Sequence, residues 1–186
     1  MQADVLEGGF DDPAVDASHA FRAVMTAMAR PGDILSVGGA EPPAPLGVAA
    51  GVVLLTLCDP ETPIFLGGGY DTGPLRDWIT FHIGAPFVRA QDAMFAIGAW
   101  RDLPLGDFSC GTPEYPDRSA TLIVEQADLT ATGMMLTGPG IETHAQLSLP
   151  ETQAFQHNAR RFPLGLDFIF TSADRFAALP RTTKVS

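Results

Sequence analysis

An apolar segment enclosed by prolines is the feature that most constrains how this chain can fold. The segment covers residues 46–58, follows a proline-rich stretch at 42–45, and ends at Asp59-Pro60. It is too short, and its side chains are too small, to span a bilayer core of about 30 Å. A helix that is apolar on every side has to be buried. The sequence therefore predicts a core helix that other parts of the chain cover.

The length and composition of the chain indicate one domain. It has 186 residues, 46% of them hydrophobic and 18% charged, which is enough apolar material for a substantial core. We predict a single domain over residues 1–186, in which residues 1–15 form an N-terminal extension on the domain surface or in a dimer interface. The acidic start differs from the basic, apolar start of a secretory signal. Cys58 and Cys110 lack metal-type spacing, so we predict buried, reduced thiols and a cytoplasmic location.

The charge balance argues against two classes of partner. The chain has 22 acidic and 11 basic residues, and its formal net charge is −11. Nucleic acids and anionic membrane surfaces both attract basic surfaces, so we predict that the chain binds neither. Lys184 is the only lysine, and every other basic residue is arginine. Arginine suits bidentate binding of phosphate or carboxylate, although a GC-rich coding sequence produces the same bias.

The first amphipathic helix carries several candidate site residues. It is predicted to begin at an Asp16 N-cap and to end before Pro31-Gly32. The apolar stripe that we expect to face the core consists of Phe21, Val24, Met25 and Met28. The opposite face consists of His19, Arg22, Thr26 and Arg30. This second face is either a cationic strip for an anion or a partner, or an ordinary solvated helix face.

The rest of the chain alternates strand and helix patterns. Helices are also expected over 74–83 and 150–161, a mobile glycine connection over 67–69, and a long ordered loop over 102–118. Strands are expected over 33–37, 64–66, 94–99, 121–125, 134–137, 145–149, 166–170 and 178–185. Crossover helices combined with adjacent β-segments predict an α/β domain with a mixed β-sheet flanked by helices.

No residue pattern supplies a self-sufficient catalytic centre. The histidines are His19, His82, His144 and His157. None has HxH or HExxH spacing, so no metal site is predicted. No serine has a nucleophile elbow, and the glycines at 67–69 lack the lysine and the spacing of a phosphate loop. Lys184 is a poor Schiff-base lysine so close to the C-terminus, so we expect neither pyridoxal phosphate nor any other cofactor.

Two further positions are candidates for a site. Asp167 lies in an otherwise apolar strand, where a charge has to be exposed, paired or perturbed. Its candidate ion-pair partners are Arg160, Arg161 and Arg181. A structural ion pair and a catalytic carboxylate both stay open. His82, near the end of a predicted helix, is either a structural histidine or a contact residue.

Several short segments resemble one known family when they are taken in order. They are HAFR (19–22), AMARPG (27–32), LLTLCDPETP (54–63), FHIGAP (81–86), GTPEYP (111–116), SAT (119–121), LTGPG (136–140), FPLGLD (162–167) and LPRTT (179–183). Each segment alone is unspecific, but the ordered set covers nearly the whole chain. It resembles the PhnH family, the H subunit of the carbon–phosphorus lyase core complex.

The resemblance implies a role in bacterial phosphonate breakdown, in a complex with subunits G, I and J. That complex makes a ribose 1-phosphonate 5-triphosphate from ATP and a phosphonate, and it releases adenine. Nucleoside cleavage is associated with subunit I, and radical iron–sulfur cleavage with subunit J. The resemblance also implies a homodimer in isolation and a fold similar to pyridoxal-phosphate-dependent transferases, without the cofactor. No catalytic residue comes with it.

We therefore expect a structural or accessory subunit of this lyase and transferase complex. The alternative is an anion-binding or catalytic component that holds phosphonate or ATP in an arginine-lined cleft. Under both hypotheses, the candidate ligand or partner contacts are His19, Arg22, Arg30, His82, Asp167 and Arg181.

Overall fold

The helix enclosed by prolines is buried in the computed structural model of the chain, which describes residues 7–186. This helix, α2 (Val48–Leu57), is buried at every position from 49 to 54, as its all-round apolar sequence predicts. The Cys58 N–H closes its last turn on the Leu54 carbonyl at 2.9 Å. No helix within residues 7–186 is both long and apolar enough to cross a membrane.

Helices and strands alternate along the chain as predicted. The other α-helices of the described part are α1 (Pro13–Ala29), α3 (Gly73–His82) and α4 (Gln153–Ala159). The strands of this part are β1 (Leu35–Ser36), β2 (Ile64–Leu66), β3 (Phe95–Ala99), β4 (Thr121–Glu125), β5 (Met134–Thr137), β6 (Ala145–Leu147), β7 (Asp167–Ser172), β8 (Arg175–Leu179) and β9 (Lys184–Val185). Single 3-10 turns occur at Gly68–Tyr70, Ala90–Asp92 and Trp100–Asp102. The strands predicted over 64–66, 121–125 and 134–137 are confirmed.

The strands form two sheets. The central sheet has six strands in the order β1-β8-β7-β4-β3-β2, and a smaller sheet has three in the order β6-β5-β9. Strands β2, β3, β4 and β7 run parallel. Strand β8 is antiparallel to β7, and β1 is antiparallel to β8. The predicted α/β class, with a mixed sheet flanked by helices, is confirmed.

The central sheet separates two core clusters. Along β4, Ile123 belongs to one cluster, while Leu122 and Val124 belong to the other, because successive strand side chains point to opposite faces. The first cluster packs α1, α2 and α3 against one face of the sheet. The second packs α4, the smaller sheet and the loop after β3 against the other face. The sheet is thus the middle of three layers.

Helix α1 begins earlier than predicted. Its N-cap is Asp12, whose carboxylate accepts a hydrogen bond from the Val15 N–H at 3.3 Å. Asp16, the predicted cap, lies in the first turn instead, and its carboxylate accepts from the Asp12 N–H at 3.0 Å. Both carboxylates thus accept from backbone N–H groups at the N-terminus of the helix, in an arrangement similar to a capping box.

The apolar stripe of α1 is also turned from its predicted position. The buried residues of the helix are Ala20, Val24 and Ala27. The prediction is right for Val24 and for Met28, which packs at the edge of the first cluster. It is wrong for Phe21 and Met25, which are 48% and 57% exposed. Small alanine side chains let α1 approach α2 closely, and this close packing decides which face is buried.

The end of the chain forms two strands and not the single strand predicted over 178–185. Strand β8 belongs to the central sheet and β9 to the smaller sheet. Between them, the Thr183 N–H donates to the Pro180 carbonyl at 2.9 Å, which closes a tight turn. The chain has to turn here because it passes from one sheet to the other.

Candidate functional site

The structure distributes the candidate residues over three separate places. His19, Arg22 and Arg30 lie on or directly after α1, on one side of the central sheet. His82 is the last residue of α3. Asp167 begins β7 and Arg181 follows β8, so these two meet at one edge of the sheet. The candidate residues therefore do not converge on one cleft.

The exposed side of α1 combines cationic and apolar side chains. A shallow groove on it, which we call the α1 outer face, is lined by Ser18, Phe21, Arg22, Met25, Thr26, Ala29 and Arg30. His19 is exposed beside this groove. Neither Arg22 nor Arg30 forms an ion pair with a carboxylate of residues 7–186. Because aromatic residues, methionine and arginine are enriched at protein interfaces, this composition is typical of a contact surface.

The Asp167–Arg181 ion pair is enclosed by the chain itself. The side chains are only 16% and 13% exposed, and the Asp167 carboxylate also accepts from the Arg181 backbone N–H at 2.8 Å. The guanidinium donates further to the Pro116 carbonyl at 2.7 Å and to the Ser119 hydroxyl. Of the three predicted partners, Arg181 is therefore the one that pairs with Asp167, whereas Arg160 and Arg161 are exposed.

The hydrogen bonds of the Arg181 guanidinium decide what the ion pair can do chemically. The five N–H groups of the Arg181 guanidinium are all engaged: Nε by Asp167, Nη1 by the Pro116 and Pro163 carbonyls, and Nη2 by Ser119 and Asp167. No donor is left to bind a ligand, because five N–H groups in a fixed fork are its whole inventory. The pair instead fastens the loop before β4 to the ends of β7 and β8. We call this arrangement the Arg181 latch.

His82 contacts the segment that precedes α1. Its Nε2 lies 3.2 Å from the Glu7 carbonyl oxygen, so Nε2 carries the donated proton. A side chain at Gly9 would come within 2.5 Å of the His82 ring, so only glycine allows this approach. Of the predicted extension over 1–15, residues 1–6 lie outside the described residues, and residues 13–15 form the first turn of α1. His82 thus packs within the chain and contacts no other candidate residue.

The carboxyl ends of the parallel strands contain a residue that sequence reasoning missed. Glu125 ends β4, and its carboxylate accepts from the Gly47 N–H, at the N-cap of α2, at 2.7 Å. Burial raises the pKa of this carboxyl, and the hydrogen bond from Gly47 opposes the shift. Ligands of open α/β sheets usually bind at this edge, with anions on helix N-termini. Here the protein's own carboxylate occupies that position. A glutamate directly after the apolar run 122–124 was the available signal.

The glycine segment after β2 is explained by packing. It forms the 3-10 turn Gly68–Tyr70. A side chain at Gly68 would lie 2.5 Å from the Asp102 carboxyl carbon, and Gly68 has a φ of 55°. Burial, with Glu125 and Asp102 nearby, raises the pKa of Tyr70 to about 12. The segment thus packs against acidic groups, which makes it a poor cradle for phosphate.

The thiols and possible metal ligands offer no further site in the described part. Cys58 and Cys110 are free; Cys58 is buried as predicted, whereas Cys110 is half-buried. Burial raises the pKa of the Cys58 thiol to about 12, which disfavours the nucleophilic thiolate. Within residues 7–186, no group of three or more His, Cys, Asp and Glu side chains is placed to hold a metal ion.

Fold and surface together define an α/β protein with a mixed central sheet and helices on both of its faces. The chain belongs to the PhnH family of bacterial phosphonate metabolism proteins, whose family model matches residues 8–186. It is 41% identical over 196 residues to the alpha-D-ribose 1-methylphosphonate 5-triphosphate synthase subunit PhnH of Rhizobium meliloti strain 1021. That match covers 99% of this chain and 97% of the relative. The family predicted from the ordered motifs is confirmed.

Proposed function

We propose that this chain is an accessory subunit of a bacterial phosphonate-degrading complex and that its outer face of α1 contacts a partner subunit. Family membership supports the pathway, and the relative's name describes a synthase subunit. The proposal includes assembly with subunits G, I and J, a homodimer in isolation, and a cytoplasmic location. It also includes a fold related to pyridoxal-phosphate-dependent transferases that works without the cofactor.

The proposal rests mainly on the exposure of Phe21 and Met25 in the same groove as Arg22 and Arg30. Burying large apolar side chains in an interface contributes about 1.5–3 kcal/mol for each one that is fully covered. Neither Arg22 nor Arg30 is paired with a carboxylate of residues 7–186, so both can pair with carboxylates of the partner. We therefore propose that the partner presents an apolar patch flanked by acidic side chains.

Co-purification with subunits G, I and J tests the contact. The variant Phe21→Ser/Met25→Ser removes the apolar contact, and Arg22→Glu/Arg30→Glu reverses the charge. Both pairs are exposed, so both variants are expected to fold. Both variants are expected to be lost from the complex, because each removes part of the proposed contact. Phe162→Ser is a matched control, because Phe162 is 60% exposed and lies beyond α4, on the other side of the central sheet.

Two results would contradict the proposal. If both α1 double variants co-purify as the parent chain does, the outer face of α1 is not the contact. If the complex without this chain keeps full activity, the chain is not a required subunit. A shift in dimerisation alone would assign the α1 outer face to the homodimer.

The alternative of one cleft for phosphonate or ATP that Arg22, Arg30 and Arg181 would line together has less support from the structure. Arg22 and Arg30 lie with α1 on one face of the central sheet, and Arg160 lies next to α4 on the other. The N–H donors of Arg181 are all used within the Arg181 latch. Calorimetry with ATP and an alkylphosphonate at millimolar concentration distinguishes the hypotheses, since tight binding that Arg22→Glu/Arg30→Glu abolishes would favour a ligand role for α1.

A further inference from the structure

A second cleft lies on the opposite side of the sheet from α1. It has a volume of about 410 Å³ and lies between α4 and the loop that follows β3. Small-molecule sites commonly measure about 300–1,000 Å³. The lining residues are Leu105, Gly106, Glu151, Gln153, Ala154, His157, Asn158, Arg161, Leu166 and Phe168. Its size therefore suits one small organic molecule.

The floor of this cleft is apolar and backed by aromatic rings. Leu166 and Phe168 form it and are only 3% and 1% exposed. Behind them, the Phe155 ring packs edge-on against Phe168 with centroids 5.1 Å apart, and the Trp100 ring lies 6.0 Å from Phe168. A floor fixed by such packing is preorganised, so a ligand does not have to order it on binding.

Two of the polar side chains at the rim are already engaged. The Glu151 carboxylate accepts from the Trp100 indole N–H at 3.1 Å and from the Ala154 N–H at 3.2 Å. The Asn158 side chain donates to the Leu166 carbonyl and accepts from the Leu166 N–H, both at 2.8 Å. These bonds hold α4 over the start of β7. They leave neither side chain free to be the main ligand contact.

The remaining polar rim groups include one cation, Arg161. His157 lies in the last turn of α4 and Arg161 in the turn that follows the helix, and both side chains are exposed. No carboxylate within residues 7–186 forms an ion pair with Arg161. Glu151 precedes α4 and Arg161 follows it, so the negative and positive groups lie at opposite ends of the cleft. A bound anion is thereby directed towards Arg161.

We propose that this cleft binds a small organic anion that consists of a flat apolar body and a phosphonate or carboxylate head. The body would lie against Leu105 and Ala154, the half-buried apolar side chains of the lining, above the floor of Leu166 and Phe168. The head would accept two parallel hydrogen bonds from the Arg161 guanidinium, the geometry that both oxyanions favour. This proposal uses residues that the subunit contact on α1 does not, and it is independent of that contact.

Titration with phenylphosphonate, followed in proton–nitrogen correlation spectra, tests the proposal. Saturable shifts are expected at the Trp100 indole and the Gly106 amide, because one is bonded to Glu151 and the other lines the cleft. Loss of a charge-assisted bidentate contact in Arg161→Gln is expected to weaken binding about tenfold or more. Arg160→Gln is the matched control, since Arg160 is an equally exposed neighbour that lines a different depression. Its affinity is expected to stay within about twofold.

Each outcome of the test either supports or overturns the proposal, or shows which head group the cleft prefers. No saturable shift of either signal below about 10 mM would overturn it. Equal weakening in Arg161→Gln and Arg160→Gln would also overturn it, because that pattern reports net charge only. If inorganic phosphate shifts the same signals with equal affinity, the apolar body contributes nothing to binding, and the proposal is overturned. A parallel titration with benzoate ranks carboxylate against phosphonate, and saturable binding of either one supports the site. None of these results affects co-purification through α1.

Discussion

Arg181 connects three parts of the chain through one guanidinium, and its loss should therefore be costly. Removing one member of a buried ion pair leaves the other charge unpaired, which destabilises by about 3–5 kcal/mol. We expect Arg181→Ala to lower the free energy of unfolding by about 3 kcal/mol in urea denaturation. Arg181→Lys is expected to recover only part of this loss, because an ammonium cannot reproduce the fork that reaches Asp167, Pro116 and Ser119.

A surface pair supplies the control for this prediction. Arg101 is 87% exposed and lies 3.8 Å from the Asp102 carboxylate. Arg101→Ala should change the free energy of unfolding by less than about 1 kcal/mol. Hydrogen exchange in the loop over 111–119 should accelerate in Arg181→Ala only. Unchanged exchange there would contradict the role of the latch in holding this loop.

Glu125 should make stability depend on pH in an unusual direction. Burial raises its folded-state pKa above the ordinary value, so the folded protein favours the protonated form. The stability from this group is therefore present below the ordinary pKa and is lost as pH rises through the folded-state pKa. Glu125→Gln keeps an acceptor for the Gly47 N–H and carries no charge. The variant should gain stability relative to the parent as pH rises from about 4 to about 8.

Urea denaturation at several pH values checks the Glu125 prediction. Glu125→Ala is the contrasting variant, because it leaves the half-buried Gly47 N–H without its acceptor. A cost of about 1–3 kcal/mol is expected for that loss at every pH. The gain relative to the parent as pH rises should match that of Glu125→Gln, because alanine also removes the titrating group. If Glu125→Gln and the parent chain show parallel pH profiles, the carboxylate is not destabilised by its burial.

At the scale of the single element, the start of α1 depends on its cap. Asp12→Ala removes the acceptor of the Val15 N–H, and such a loss typically costs about 1 kcal/mol. Asp12→Asn, which keeps an acceptor oxygen, should cost less. Asp11→Ala is the position control, because Asp11 lies before the cap. Thermal unfolding measured by circular dichroism distinguishes these variants, and equal losses for Asp11→Ala and Asp12→Ala would contradict the capping role.

The orientation of α1 also shows where periodicity stops being informative. Phe21 and Met25 lie at helical spacing with Val24 and Met28, so hydrophobicity favours them as core residues. Alanines 20 and 27 contribute little to such a pattern, yet they are the residues that allow close approach to α2. Shape complementarity between two helices depends on both partners, and a pattern within one helix does not contain it.

At the scale of the whole molecule, the net charge of −11 should make stability depend on salt. Self-repulsion is strongest in the compact state and is screened by ions. Raising NaCl from about 10 mM to about 200 mM at pH 7.5 should increase the free energy of unfolding by on the order of 1 kcal/mol. Near pH 4.5, the sequence isoelectric point, the same change should have little effect. An equal increase at both pH values would indicate salting-out and not screening.

The sequence by itself determined the class of fold, the family, the buried helix and most strand positions. These follow from local signals, namely continuous or alternating hydrophobicity, proline and glycine punctuation, and ordered motifs. Only the tertiary structure decided that Arg181 is the partner of Asp167, that Glu125 occupies the N-terminus of α2, and that Phe21 and Met25 face outward. Each of these outcomes brings together residues that are distant along the chain or compares the packing of two surfaces. Local patterns carry no information about such distances, so the contact face and the cleft became visible only in three dimensions.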